Sequence, residues 1–326
     1  FRLKNVRQDV LNDEYVPIPD VWIGNNGFGY SSWAYKSKMS RTNINTGLAY
    51  LTDDLPTPSF NRTYRKASLS STTNGYTCAQ SPSYQSQVTK VVYSTGTFDA
   101  TVPNRSASVY NSCTISANEK AYEFSGNWDG TDRSYTQKIT FSNETWSQIP
   151  GSNVPAGFEE LYSMGVNSGN GTGYGYGGPA PSYPSDTGAM YTAKIVFSND
   201  TWSQLAASPW PRRSMGCGKL STPTHSWYSG GNNPSNTNYT DRTDKLTFAN
   251  DTWAISPTAS LPRGMSQAAT YPYNGEKGAL VGGSNPIGDG QSSTAFTLTF
   301  ATDTWDANSV AADSTMYGNE NGWNAG

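Results

Sequence analysis

Apolar and polar positions alternate along this chain in short runs, each broken by Gly, Asn, Asp, Ser or Pro. The clearest run is Lys138-Ile139-Thr140-Phe141, whose alternation predicts a strand with one buried face. Asn143-Glu144 then supplies turn chemistry, and Thr145-Trp146 opens a returning strand. The phrase therefore reads as a hairpin, with Phe141 and Trp146 expected to meet as a cross-strand aromatic pair at its root. It returns at 194–202, 245–253 and 297–305, carrying Phe197 and Trp202, Phe248 and Trp253, and Phe300 and Trp305. Successive Trp residues lie 56, 51 and 52 positions apart, a period that marks a repeat architecture.

Two looser copies come earlier. Lys90-Val91-Val92-Tyr93 leads to Thr97-Phe98, and Arg41 with Ile44 keeps the basic and apolar positions without the aromatics. About twenty residues before each Trp lies a glycine-rich strand, ending in a diglycine at Gly177-Gly178, Gly230-Gly231 and Gly282-Gly283. Glycine at a strand end permits a positive φ or a close backbone approach, here expected beneath a neighbouring Trp ring. A further short strand precedes it, marked by Met164, Met215 and Met265, with Met316 recurring after the last Trp.

The repeating unit is thus predicted to hold four antiparallel strands. Units of about fifty residues with four strands specify an all-β propeller. Counting the looser copies gives six blades over residues 21–326, the ring closed by a C-terminal strand around Met316 that completes the N-terminal blade. Residues 1–20, with Pro17 and Pro19 near their end, read as an arm or linker. The chain opens on Phe1-Arg2-Leu3-Lys4 rather than on Met and an apolar run, so either a leader has been removed or the parent product is longer.

Composition narrows the partners. Aromatics make up 13% of the 326 residues and charged residues 14%, which describes a folded, turn-rich protein with a polar skin. A net charge of −3 and no basic stretch remove the main driving force for nucleic-acid binding. No apolar run is long enough for a membrane-spanning helix, so membrane insertion is not expected. Cys78, Cys113 and Cys217 are far apart and odd in number; they imply neither a disulfide framework nor a zinc site, and are expected as buried thiols.

Diglycine, then an aromatic hairpin strand, then Trp about twenty residues on resembles the grammar of kelch repeats across residues 21–326. The pairing of Gly24-Asn25-Asn26-Gly27-Phe28-Gly29-Tyr30 with Phe197-Ser198-Asn199-Asp200-Thr201-Trp202 is similar to kelch-type repeats in structural proteins of marine bacteriophages. That resemblance implies a virion or extracellular location, in a tail or capsid-surface appendage. It also implies partners among other virion proteins, reached through residues 1–20, or a host-surface glycan.

Candidate chemistry is sparse. A copper site of the galactose oxidase type needs two histidines, and the chain has only His225. No motif matches a sugar mutarotase, and the hairpin phrase lacks the glycine and spacing of a sialidase box. His225 has no triad pattern around it, and Glu159 and Glu160 are strand neighbours that point apart. Asp129-Gly130 and Asp289-Gly290 read as turns rather than calcium loops. No enzyme, cofactor or metal is expected. The basic residues Arg41, Lys90, Lys138, Lys194 and Lys245 read as a solvated ring. Binding is expected on the variable loops after the glycine strands and between units, where Trp128, Tyr183, Trp210 and Tyr239 offer aromatic faces. A secreted carbohydrate-binding propeller of cellular origin is the alternative, and behind it a sugar mutarotase-type enzyme.

Overall fold

The computed structural model describes residues 20–25, 38–43, 49–51, 67–78, 86–92, 95, 97–99, 102–107, 112–125, 127–128, 131–132, 135–151, 153–155, 158, 164–177, 191–209, 218–231, 239–256, 260–265, 269–273, 276–281 and 295–306. An N-terminal sheet comprises β1 (Asp20–Asn25), β2 (Lys38–Asn43) and β3 (Ala49–Leu51). Blade I holds β4 (Ala67–Ser70), β5 (Asn74–Cys78), β6 (Val88–Val92) and β7 (Thr97–Asp99). Blade II holds β8 (Cys113–Ser116) and β9 (Lys120–Phe124), then a small ribbon of β10 (Asn127–Trp128) and β11 (Thr131–Asp132), then β12 (Thr136–Thr140) and β13 (Thr145–Gln148). Blade III is β14 (Met164–Asn167), β15 (Thr172–Gly177), β16 (Tyr191–Val196) and β17 (Thr201–Leu205). Blade IV is β18 (Gly218–Ser221), β19 (His225–Ser229), β20 (Thr243–Thr247) and β21 (Thr252–Ile255). Blade V is β22 (Ala269–Tyr273), β23 (Lys277–Val281), β24 (Ala295–Thr299) and β25 (Thr304–Asp306).

Each blade is an antiparallel meander in chain order, and the first strands of successive blades lie against one another. This is a β-propeller, with the first strands around the axis and the Trp strands outermost. Pro272 sits in β22, at the axial edge of its sheet, where a residue without an N–H costs no ladder bond.

The described chain forms five four-stranded blades, not the expected six. The N-terminal sheet has three strands; the stretch around Met316 expected to complete it lies outside the described residues, as do residues 1–19 of the expected arm. The methionine recurrence is also not one structural position. Met164 opens β14, whereas Met265 lies in the connection before β22, so its phase marks no common strand.

The core is distributed between blades. Cys113, Ile115, Tyr122 and Phe124 of blade II pack with Ala193, Ile195 and Phe197 of blade III, and the other interfaces repeat the arrangement. Stacked sheets bury both faces, which is why a polar, glycine-rich chain can still close a dry core. The expected Phe–Trp pair within each hairpin gives way to this packing. Trp146 pairs in register with Ile139, not Phe141, and both aromatic rings pack on the blade I cluster of Leu69, Tyr76 and Val88.

Candidate functional site

The two faces of the propeller differ. One is closed by the short turns at 71–73, 117–119, 168–171 and 222–224, and by the four-residue turns at 141–144, 197–200, 248–251 and 300–303. The other carries the second-to-third-strand connections and the blade-to-blade connections, which run from nine residues (79–87) to fifteen (149–163).

The turn face is occupied by a repeated latch. A third-strand lysine reaches the turn carboxylate of the following blade: Lys90 to Glu144 at 3.0 Å, Lys138 to Asp200 at 2.5 Å, Lys194 to Asp251 at 3.0 Å and Lys245 to Asp303 at 2.9 Å. The second strand donates to the same carboxylate, through Tyr76 at 3.0 Å, Tyr122 at 2.5 Å, Tyr174 at 2.7 Å and Trp227 Nε1 at 2.8 Å. That donor's ring stacks on the following blade's Phe141, Phe197, Phe248 or Phe300, with centroids 5.4, 5.5, 4.7 and 4.7 Å apart. The carboxylate residues sit in the left-handed region, at φ 54, 57, 57 and 54 for Glu144, Asp200, Asp251 and Asp303. Preceding them, Asn143, Asn199 and Asn250 accept from Thr145, Thr201 and Thr252 hydroxyls at 2.7–2.8 Å, which explains the recurring Asn-acid-Thr wording. The expected solvated ring at Lys90, Lys138, Lys194 and Lys245 is therefore overturned, since each amine is half-buried and paired. The side chain of Arg41 lies outside the described set.

A second contact repeats beneath the latch. Trp202, Trp253 and Trp305 donate through Nε1 to Thr136, Thr192 and Thr243 of the preceding blade at 3.0, 2.9 and 3.0 Å. Each threonine stands two positions before a latch lysine. In blade I that position is the buried Val88, and Trp146 Nε1 finds no acceptor among the described residues. Val88→Thr is expected to supply the acceptor and raise stability by about 1 kcal/mol. Denaturant titration checks this. In a Trp146→Phe background the same change should destabilise, because a buried hydroxyl then lacks its donor.

The diglycine works differently from expectation. Gly230 and Gly231 leave β19 at φ 78 and 95, and a Cβ on Gly230 would stand 2.5 Å from the Met265 carbonyl oxygen. Gly231 N–H donates to that oxygen at 2.8 Å, so the pair docks on the next blade's entry backbone rather than under a Trp ring. Trp202 instead lies over Gly175, inside the strand. Ser125 takes the Gly230 position in blade II at φ 62, and its hydroxyl donates to the Phe158 carbonyl.

Of the four aromatics proposed for binding, two fall within the described backbone. Trp128 lies in the β10–β11 ribbon on the loop face, paired with Thr131. Tyr239 is half-buried, its carbonyl close against Gly264 and Thr240 N–H bonded to Gly231 at 2.7 Å, so its loop is tied to the blade IV–V connection. Tyr183 and Trp210 lie outside the described residues.

No protein-family model matches the chain, and no curated protein matches it.

Other titratable groups are structural neighbours of these features. His225 opens β19, with Nδ1 2.8 Å from the Thr224 hydroxyl and its ring 5.7 Å from Trp227. Burial, reinforced by Lys245, lowers its pKa. Arg105 and Glu123 form a fully enclosed ion pair at 2.5 Å, and Gln137 donates to the second carboxylate oxygen at 2.7 Å. Cys78 and Cys113 are buried thiols, and burial pushes the Cys78 thiol up. Among the described residues no His, Cys, Asp or Glu group is arranged to hold a metal, and no helix is long and apolar enough to cross a membrane.

Proposed function

We propose that this chain is a non-enzymatic structural or adhesive component of a phage-like virion, a kelch-type propeller that offers its loop face to a protein partner or a host-surface glycan. The difference between the two faces carries this reading. On the turn face the charged groups of the repeat are committed to joining blades, while length and sequence vary on the opposite face. A rigid scaffold with variable loops on one side is suited to recognition. The phage attribution rests on the wording of the repeat.

The same reading has the ring closing between blade V and the N-terminal sheet. By phase, blade V has Thr297 where blades I to IV have the latch lysine, and the N-terminal unit has Gly47 where blades II to V have the carboxylate, a position that Gly96 fills in blade I. Donor and acceptor are thus missing from the two sides of one seam. Thr297→Lys combined with Gly47→Asp should show favourable coupling of about 1 kcal/mol in a double-mutant cycle if the two sides meet. Strict additivity would count against closure there.

The functional test is binding of the full chain to bacterial surface polysaccharides, read by Trp fluorescence. Saturable binding that is lost on Trp128→Ala or Trp210→Ala, together with presence on purified particles, is the expected result. Glycan binding without particle association would favour a secreted lectin. Neither glycan binding nor association with particle proteins would overturn the proposal.

A further inference from the structure

Two Asn-Gly steps lie within the described residues, Asn74-Gly75 and Asn170-Gly171. Before a glycine, the next backbone nitrogen meets the least steric hindrance in approaching the asparagine side-chain carbonyl. The fold treats the two steps in opposite ways. Asn74 opens β5, and Gly75 is buried in the ladder between Ser70 and Val91. Asn170 and Gly171 are exposed at the tip of the turn from β14 to β15. Gly171 stands in the left-handed region at φ 85, and a Cβ there would meet nothing within 4 Å. Its N–H has no acceptor among the described residues.

The electrophile is prepared as well. Thr172 Oγ1 donates to Asn170 Oδ1 at 2.7 Å, and the Ser168 hydroxyl lies against the same oxygen. Attack on Cγ places negative charge on Oδ1, where a donor already in position stabilises it. The same hydroxyl contact recurs at Asn143, Asn199 and Asn250, from Thr145, Thr201 and Thr252 at 2.7–2.8 Å. Those asparagines precede Glu144, Asp200 and Asp251, whose side chains crowd the attacking nitrogen and whose carboxylates oppose its deprotonation. Among the described residues, the hydroxyl donor and an exposed following glycine come together at Asn170 alone.

We propose that Asn170 is a self-modifying site, converting to isoaspartate and aspartate without an enzyme. The deprotonated Gly171 nitrogen bonds to Asn170 Cγ, and the Cγ–Nδ2 bond breaks, releasing ammonia that carries the proton Gly171 gave up. Water then opens the cyclic imide. Breaking its bond to Cγ restores the main chain and leaves aspartate, whereas breaking its bond to the main-chain carbonyl carbon leaves isoaspartate. The consequence falls on the turn face. Phe197 N–H donates to the Gly171 carbonyl at 2.9 Å, and Phe197 opens the turn that carries Asp200. Isoaspartate puts an extra carbon into the backbone just before Gly171 and displaces that carbonyl, so the latch between blades II and III loosens as the protein ages. This holds whatever the loop face binds.

Peptide mapping by mass spectrometry tests the proposal on the full chain stored in neutral to mildly alkaline buffer, folded and in guanidinium chloride. In the folded chain, the amide-to-acid mass gain and isoaspartate should accumulate at Asn170 about tenfold faster than at Asn74, whose buried strand holds the reacting atoms apart. The rate should rise with pH, because the attacking amide must lose its proton. In guanidinium chloride the two steps should converge. Thr172→Val should slow the change at Asn170 about tenfold, less than the roughly hundredfold for a donor in a closed site, since water competes here. Aged wild type should melt at a lower temperature than fresh, and Asn170→Gln, which must close a larger ring, should keep its melting temperature on storage. If a variant fails to fold, the wild-type comparison of folded and unfolded chain decides. An intact Asn170 in aged wild type, or equal rates at Asn74 and Asn170 in the folded chain, overturns the proposal.

Discussion

Trp227→Ala is expected to lower the unfolding free energy by about 4 kcal/mol, within the range for deleting a large buried aromatic. Trp227 is 2% exposed, stacks on Phe300 at 4.7 Å and carries the Lys245 ammonium 4.9 Å from its ring centroid. Its Nε1 also donates to Asp303, so truncation leaves a cavity and weakens the carboxylate's setting together. Trp227→Tyr is the informative control. Tyr76, Tyr122 and Tyr174 occupy the same place in the preceding blades, each with its hydroxyl on the next turn carboxylate. A tyrosine there should keep the stack and the hydrogen bond, at a cost of about 1 kcal/mol. Equilibrium unfolding in urea separates the two. If Tyr proved as damaging as Ala, the latch would not be a transferable unit.

Asp200→Ala should cost about 3 kcal/mol, the largest effect expected among the turn carboxylates, because it strands more than one cation. Lys120 and Lys138 approach Asp200 at 2.8 and 2.5 Å, and Tyr122 donates to it at 2.5 Å. Alanine must also adopt the left-handed backbone that Asp200 holds at φ 57. Asp200→Gly removes that strain while still losing the charge, so the difference between the two variants isolates the backbone contribution.

The pH dependence follows from the same contacts. Burial alone would raise the Asp200 pKa; hydrogen bonds from Lys120, Lys138 and Tyr122 outweigh it and lower it from 3.8 to about 2. A carboxylate whose folded pKa is depressed contributes stability above its unfolded pKa and loses it as pH falls through the folded value. About 2 kcal/mol should therefore disappear between roughly pH 4 and pH 2 in wild type. Asp200→Asn should lack that step, and a parallel acid profile in both proteins would place the pairing energy elsewhere.

Strand identity, turn position and repeat period were legible in the amino-acid sequence because each is local. Alternation in Lys138-Ile139-Thr140-Phe141 sets which side is buried, and β12 follows it, with Ile139 buried and Lys138 and Thr140 half-buried. The Asn-acid-Thr phrase closes its own turn through Asn143 and Thr145. The four-strand unit follows from those signals, and the propeller follows from the unit. Where local signals were overextended, they misled. Counting Met164 and Met265 as one position treated a recurrence in number as a recurrence in space, and only the strand boundaries separate them.

Partner choice needed the tertiary structure. Phe141 and Trp146 are close in sequence and were expected to meet, yet both rings turn to the preceding blade, where a stacked sheet offers more apolar surface than a hairpin edge. Lys138 looks like a solvated residue along its own strand, and its carboxylate stands 62 residues away. The Val88 substitution reads as conservative until Trp146 is seen to lose its acceptor. Sequence by itself determined what each fifty-residue unit is, because hydrogen-bonded strands and turns are set by neighbours along the chain. How the units grip one another was decided between blades, where the contacting residues lie some fifty to eighty positions apart.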